Sequence, residues 1–321
     1  MTEDEEQLFN IFFPFYIENK KRVQRDNIRF AHYTSSSAAM SVIKNKEFWM
    51  RGSSSMNDYS EVQHGLRCIQ QAWGREQAPP TKIQEELEIC KPNITSEIAR
   101  RFNHWMKSFE FETYISSFSE HDNSIEDEFG RLSMWRAYGG ENPAVLVMNS
   151  SVFFNESDAL NGVYTSPVAY KSPDEVHEYF DAVASVIELN RDFIATQDVE
   201  EIINSVFHLL RFTMLCTKHP GFSEEKEWRV FYTPLFEMCP RLTEIIEDIN
   251  GVPQKIYKIP LEDVPEQDLV GIKVTSLIEK IIIGPSNNSF DILKAFSKQF
   301  SEEGFSNPYD RVRVSDIPLK T

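Results

Sequence analysis

Glu225, Glu227 and Arg229 stand at every second position of Ser223-Glu224-Glu225-Lys226-Glu227-Trp228-Arg229-Val230-Phe231-Tyr232, and their types could do chemistry. Trp, Val, Phe and Tyr crowd the stretch, so it reads as a strand. Side chains alternate along a strand, which puts the two carboxylates and the guanidinium on one side. Lys226, Trp228, Val230 and Tyr232 share the other, more apolar side, the expected core face. The trio has two readings. One is a solvated ladder of exposed ion pairs, which are common and weak. The other is a polar cleft in which Arg229 keeps one carboxylate ionised while its neighbour works as a base or an electrostatic clamp.

The rest of the chain must position that trio. At 321 residues, with 41% hydrophobic residues and 24 Phe, it has ample material for a packed core. A formal net charge of −17 speaks against gripping nucleic acid through its phosphates, which needs basic patches. Cys68, Cys90, Cys216 and Cys239 are scattered, with no C-x-x-C pair, and read as buried thiols of a reducing compartment. The acidic opening Thr2-Glu3-Asp4-Glu5-Glu6 is unlike a secretory leader, and the apolar patch at residues 8–17 is too short to span a bilayer. A cytoplasmic protein is expected.

Hydrophobic periodicity sets the order of elements. Residues 1–26 form a helical extension, with Phe9, Phe12, Phe13 and Tyr16 at helical spacing. Strands are expected over 27–34, 47–51, 113–120, 144–148, 162–170, 225–232, 254–259, 269–274, 279–284 and 311–314. Helical blocks fall at 59–110, broken at Pro79-Pro80 and Pro92, and at 173–216. Leu132–Tyr138 makes a short helix stopped by Gly139-Gly140, and another helix covers 290–300. Strands and helices do not alternate regularly. The expected class is therefore α+β, a single domain with a mixed, mainly antiparallel central sheet and two helical insertions.

Six short stretches occur in a recognisable succession: Phe30-Ala31-His32-Tyr33-Thr34, Met56-Asn57-Asp58 with Glu61, Ser117-Phe118-Ser119-Glu120, Trp135 with Tyr138 and Gly139, Glu225-Lys226-Glu227-Trp228-Arg229, and Ile281-Ile282-Ile283-Gly284-Pro285. That succession, from about Ile28 to Pro318, resembles the mostly bacterial family called domain of unknown function 2971. More distantly, the chain resembles ADP-ribosyltransferases of the His-Tyr-Glu type. Those enzymes hold NAD with a histidine on the first strand and an aromatic residue nearby, and carry their catalytic Glu on a later strand. His32, followed by Tyr33 and Thr34, matches the first element, and Glu225-Lys226-Glu227 matches a Glu-x-Glu pair. The middle aromatic has four contenders, Trp49, Tyr59, Trp135 and Tyr138.

The distant resemblance implies NAD as a substrate and a macromolecular or small acceptor, in a toxin or an antiviral defence effector. Glu227 would stabilise the oxocarbenium-like centre left as nicotinamide departs, and Glu225 would orient or deprotonate the acceptor. His32 would hydrogen-bond the ribose as a neutral imidazole, and Trp135 or Tyr138 would stack on nicotinamide. Ser119 or Arg229 would steady the diphosphate, with Asn57 and Asp58 lining the pocket.

Each residue also has a plainer role: His32 as a core histidine, Trp135 and Tyr138 as core packing, Asn57 and Asp58 as turn and cap. A rival enzymatic reading sets Asp58, Glu61, Glu120 and Glu227 round Mg²⁺ or Mn²⁺ in a phosphodiesterase or nuclease. A third is a non-catalytic module that binds a small ligand or a partner protein. Phosphate loops, G-x-G-x-x-G turns, H-E-x-x-H helices and G-x-S-x-G elbows are missing from the sequence.

Overall fold

A computed structural model describes residues 2–53, 59–74, 78–249 and 251–318. The chain divides into two compact units, one of Met1–Lys20, Gly52–Thr113 and Ser166–Ser223, the other of Lys21–Arg51, Tyr114–Thr165 and Glu224–Thr321. The class is α+β.

The first unit is built from helices. Those predicted for its two blocks form at Tyr59–Ala72, Lys82–Cys90 and Ile94–Phe111, then Pro173–Leu189, Arg191–Thr196 and Val199–Leu215. Ser172 opens Pro173–Leu189 with a capping box, its hydroxyl and the Glu175 carboxylate satisfying each other's backbone N–H. Ile98, Phe102 and Phe109 bury one stripe of Ile94–Phe111. At Gly65 the helices touch backbone to backbone, for a Cβ there would sit 2.2 Å from the Met214 carbonyl oxygen. Cys68, Cys90 and Cys216 here, and Cys239 in the second unit, are buried thiols.

The strands are β1 (Arg29–Ser35), β2 (Glu47–Gly52), β3 (Tyr114–His121), β4 (Pro143–Met148), β5 (Val163–Pro167), β6 (Ala169–Tyr170), β7 (Thr217–Lys218), β8 (Glu227–Tyr232), β9 (Thr243–Ile249), β10 (Val252–Pro260), β11 (Ile278–Ile283) and β12 (Val312–Val314). All but β6 and β7, which pair with each other, form one sheet ordered β12-β11-β4-β1-β3-β2-β10-β9, with β8 joining β3 and β5. β1 runs antiparallel to both β3 and β4, and β8 antiparallel to β3. The β11–β12 pair is parallel, so the sheet is mixed and mainly antiparallel, as expected. β4 is buried at all six positions, and its partner β11 brings Ile281, Ile282 and Ile283, fully buried, beside it.

Three expectations change. The strand expected at 269–274 is a turn: Asp263 Oδ1 accepts the N–H groups of Gly271, Ile272 and Lys273 at 2.9, 2.9 and 3.1 Å, and Gly271 has φ +91°. The strand expected at 162–170 divides into β5 and β6 at Pro167, which has no N–H to continue a ladder. β9 went unseen in the sequence, because the adjacent Ile245 and Ile246 break strict alternation.

Candidate functional site

Strand pairing decides which predicted residues meet. Directly opposed residues on neighbouring strands point to the same side of a sheet, and the next residue along points away. Ala31 opposes Ser119, and Ser119 opposes Glu227; Ser117 opposes Arg229. With period two, Ala31, Tyr33, Ser117, Ser119, Glu227 and Arg229 share one face. Phe30 opposes Glu120 and Phe118 opposes Trp228, so Phe30, His32, Thr34, Phe118, Glu120 and Trp228 share the other.

His32 and Glu227 therefore stand back to back. Contacts agree with the register: the His32 ring lies 5.6 Å from Phe118 and 5.5 Å from Phe48. Its Nδ1 is 3.0 Å from the Ser117 carbonyl oxygen, and burial pushes its pKa below the usual histidine range, so the ring is neutral. The expectation that His32 and Glu227 share a pocket is corrected by parity along β1. Thr34, one period from His32, lies on the same far side.

The solvated ladder is corrected too, since all six residues of β8 are buried. Glu227 is 6% exposed and Arg229 1%. Arg229 grips that carboxylate through both Nε and Nη2, at 2.8 and 3.2 Å. Such a two-point charge-assisted contact fixes the carboxylate's orientation. Glu225 is off the strand altogether. It ends the 3₁₀ turn Pro220–Glu225, and Lys226 follows at φ +45°, which breaks the alternation that would have aligned Glu225 with Glu227. The Glu225 carboxylate instead accepts a hydrogen bond from the Tyr138 hydroxyl at 2.9 Å.

Arg131 gathers this side of the sheet. Its Nη1 donates to Ser119 Oγ at 2.8 Å and to the carbonyls of Glu224 and Glu225 at 2.7 and 3.2 Å. Nη2 reaches the Glu120 carbonyl, and Nε and Nη2 clasp the Glu126 carboxylate at 2.8 and 2.9 Å. Its backbone N–H donates to the Tyr33 hydroxyl at 2.8 Å, and burial pushes that phenol up to about 12. Trp135 packs edge-on against Tyr33 at 4.9 Å and donates from Nε1 to the Phe129 carbonyl. Gly130, at φ +70°, leaves room for that indole: a Cβ there would lie 2.4 Å from it.

Of the predicted residues, Tyr33, Ser119, Trp135, Tyr138, Glu225, Glu227 and Arg229 come together on one side, and His32 and Thr34 do not. Asn57 and Asp58 lie outside the described residues. No motif in the sequence marks Arg131, which follows an acidic loop and divides its bonds between three backbone carbonyls, the Ser119 hydroxyl and the Glu126 carboxylate. Ser117 Oγ is buried on this face and has no hydrogen-bond partner among the described residues.

Of the four carboxylates of the metal reading, Asp58 lies outside the described residues and the other three are engaged elsewhere. Glu120 takes Arg22 and the Trp228 indole N–H, Glu227 takes Arg229, and Glu61 is paired with buried Lys218 at 2.7 Å in the first unit. Among the described residues no three His, Cys, Asp or Glu side chains group as a metal site. Among them, too, no helix is long and apolar enough to cross a membrane.

No curated protein and no solved structure matches the chain. A family match covers the Trp135–Tyr138 helix, β4 and the turn into β8, and leaves His32, Asn57, Asp58 and Ser119 outside it. Over residues 134–230 the chain is similar to the family described as Protein of unknown function (DUF2971).

Proposed function

We propose that the chain is a non-catalytic binding module whose Arg131 face takes up a small polar ligand without breaking a bond. The observation that carries this is the Glu227–Arg229 pair. The carboxylate expected to do the chemistry is buried, held at two points, and turned away from His32. A buried ion pair of this kind organises a sheet more readily than it attacks a substrate, because parting the two charges in a buried setting costs several kcal/mol. Capture of a ligand is supported by Ser117 Oγ, whose unused hydroxyl opposes Arg229, and by Tyr138 and Glu225, which reach solvent at the rim. An unmade buried hydrogen bond costs about 1–3 kcal/mol, which a ligand atom would recover.

Incubating the protein with NAD and measuring released nicotinamide tests the reading. The expected result is no release above buffer, together with a thermal upshift by NAD or ADP-ribose that Ser117→Ala removes. Release that Glu227→Gln abolishes in a folded protein would overturn it.

A second reading keeps the transferase expectation and rests on Glu225 alone. Its carboxylate is partly exposed and oriented by Tyr138, so it could meet a bound NAD where Glu227 cannot. In that case nicotinamide release would depend on Glu225 and survive Glu227→Gln.

A further inference from the structure

β9 ends the order of the large sheet and pairs with β10 along its whole length. No hydrogen bond from outside that pair reaches the backbone of Thr243–Ile249 among the described residues. Its outer N–H and C=O groups thus form an open ladder seven residues long. Natural sheets blunt such edges with charged side chains, proline or a bulge. β9 reads Thr-Glu-Ile-Ile-Glu-Asp-Ile, with no proline and no bulge, and pairs with β10 in continuous register; its charges are all acidic, which repels acidic strands and admits basic ones.

Alternation sorts the side chains. Glu244, Ile246 and Asp248 share one face, and Ile246 is 66% exposed. Thr243, Ile245, Glu247 and Ile249 share the other. The strand carries three carboxylates and no cation. A second copy is a poor occupant, since pairing β9 with itself brings carboxylates together and each chain carries a net charge of −17.

We propose that β9 receives an extended basic segment of a partner protein by strand addition, with a cation–x–apolar–x–cation pattern opposite Glu244, Ile246 and Asp248. Backbone hydrogen bonds along the open edge supply the attachment, and the alternate side chains supply the choice of partner. Cross-strand pairs about 4.5–5.5 Å apart set each cation against a carboxylate and the apolar residue against Ile246. None of these residues belongs to the Arg131 face, so the inference stands apart from the function proposed above, and nicotinamide release would leave it intact.

The test is a fluorescent peptide, Thr-Lys-Thr-Val-Thr-Lys-Thr, titrated with the full chain at low salt. Saturable binding is expected, weakened about tenfold when the peptide lysines become glutamates and about tenfold by Ile246→Lys. N-methylation of the peptide's alternate amides on the pairing edge should abolish it. Ile246→Lys changes an exposed position, so an unchanged melting temperature confirms that the fold is intact. No binding at millimolar peptide, equal binding of the glutamate peptide, or indifference to Ile246→Lys would overturn the proposal. So would sedimentation showing that the chain occupies this edge with a second copy.

Discussion

The two faces of β1, β3 and β8 come from the same three short stretches of sequence, yet one is a nest of rings and the other a net of charges. Behind the sheet, Phe30, Phe118, Phe153, Phe154 and Trp228 pack ring to ring at 4.8 to 6.0 Å, and His32 joins them as one more aromatic. In front, Arg131, Ser119, Glu227 and Arg229 are tied by directed bonds, with an apolar strip of Ala31, Tyr33, Val145, Val147 and Ile282 beside them. The lesson is one of parity. A residue's type proposes a chemistry, but its odd or even place on the strand decides whether its partners can reach it.

The aromatic face should show the largest response to truncation. Phe118→Ala removes a buried ring among His32, Phe48 and Phe153 and should cost about 3–5 kcal/mol in urea unfolding. A loss under about 1 kcal/mol would mean that this face is loosely packed.

Acid should attack the charged face next. His121, fully buried, opposes Arg29, and its Nε2 lies 3.3 Å from Asp127. Burial, helped by Arg29, pushes the imidazole down to about 4 from an ordinary 6.5. The unfolded chain therefore binds its proton first. The stability from this group is whole above pH 6.5 and is lost as pH falls through 6.5 toward 4, by about 3 kcal/mol in all. Asp127, held down to about 2 by Lys280 and Arg29 against the upward push of burial, titrates below that window. Unfolding measured across pH 4–7 should flatten in His121→Gln, though not fully, since burial also lowers His208 to about 4. An unchanged slope would show that His121 does not titrate on unfolding.

The smallest effect is expected at His32. His32→Phe keeps a ring in the nest and gives up the bond to the Ser117 carbonyl, so stability should move by about 1 kcal/mol or less. Ligand-induced thermal shifts should be untouched. A lost ligand shift would mean that the back of the sheet takes part in binding.

Most of the scaffold was legible in the sequence. The helix breaks at Pro79-Pro80 and Pro92 and the stop at Gly139 are strong local signals, and the helices end where they demand. Seven of the candidate site residues do share one side, because the β3–β8 register aligns Ser117 and Ser119 with Arg229 and Glu227. What escaped were relations that no local pattern encodes: the parity of β1 against β8, the left-handed Lys226 that takes Glu225 off the strand, and an arginine half of whose bonds go to backbone carbonyls. β9 escaped for another reason, as its charged, non-alternating sequence suits an exposed edge better than a core strand.

Everything rests on Glu227 being the structural partner of Arg229. A double-mutant cycle with Glu227→Gln, Arg229→Met and the pair together, read by equilibrium urea unfolding, measures that coupling directly. Each single change is expected to cost about 3 kcal/mol or more, and the double change to recover about 2 kcal/mol or more of their sum. Single changes that add to within about 0.5 kcal/mol would contradict that partnership and free Glu227 for another role.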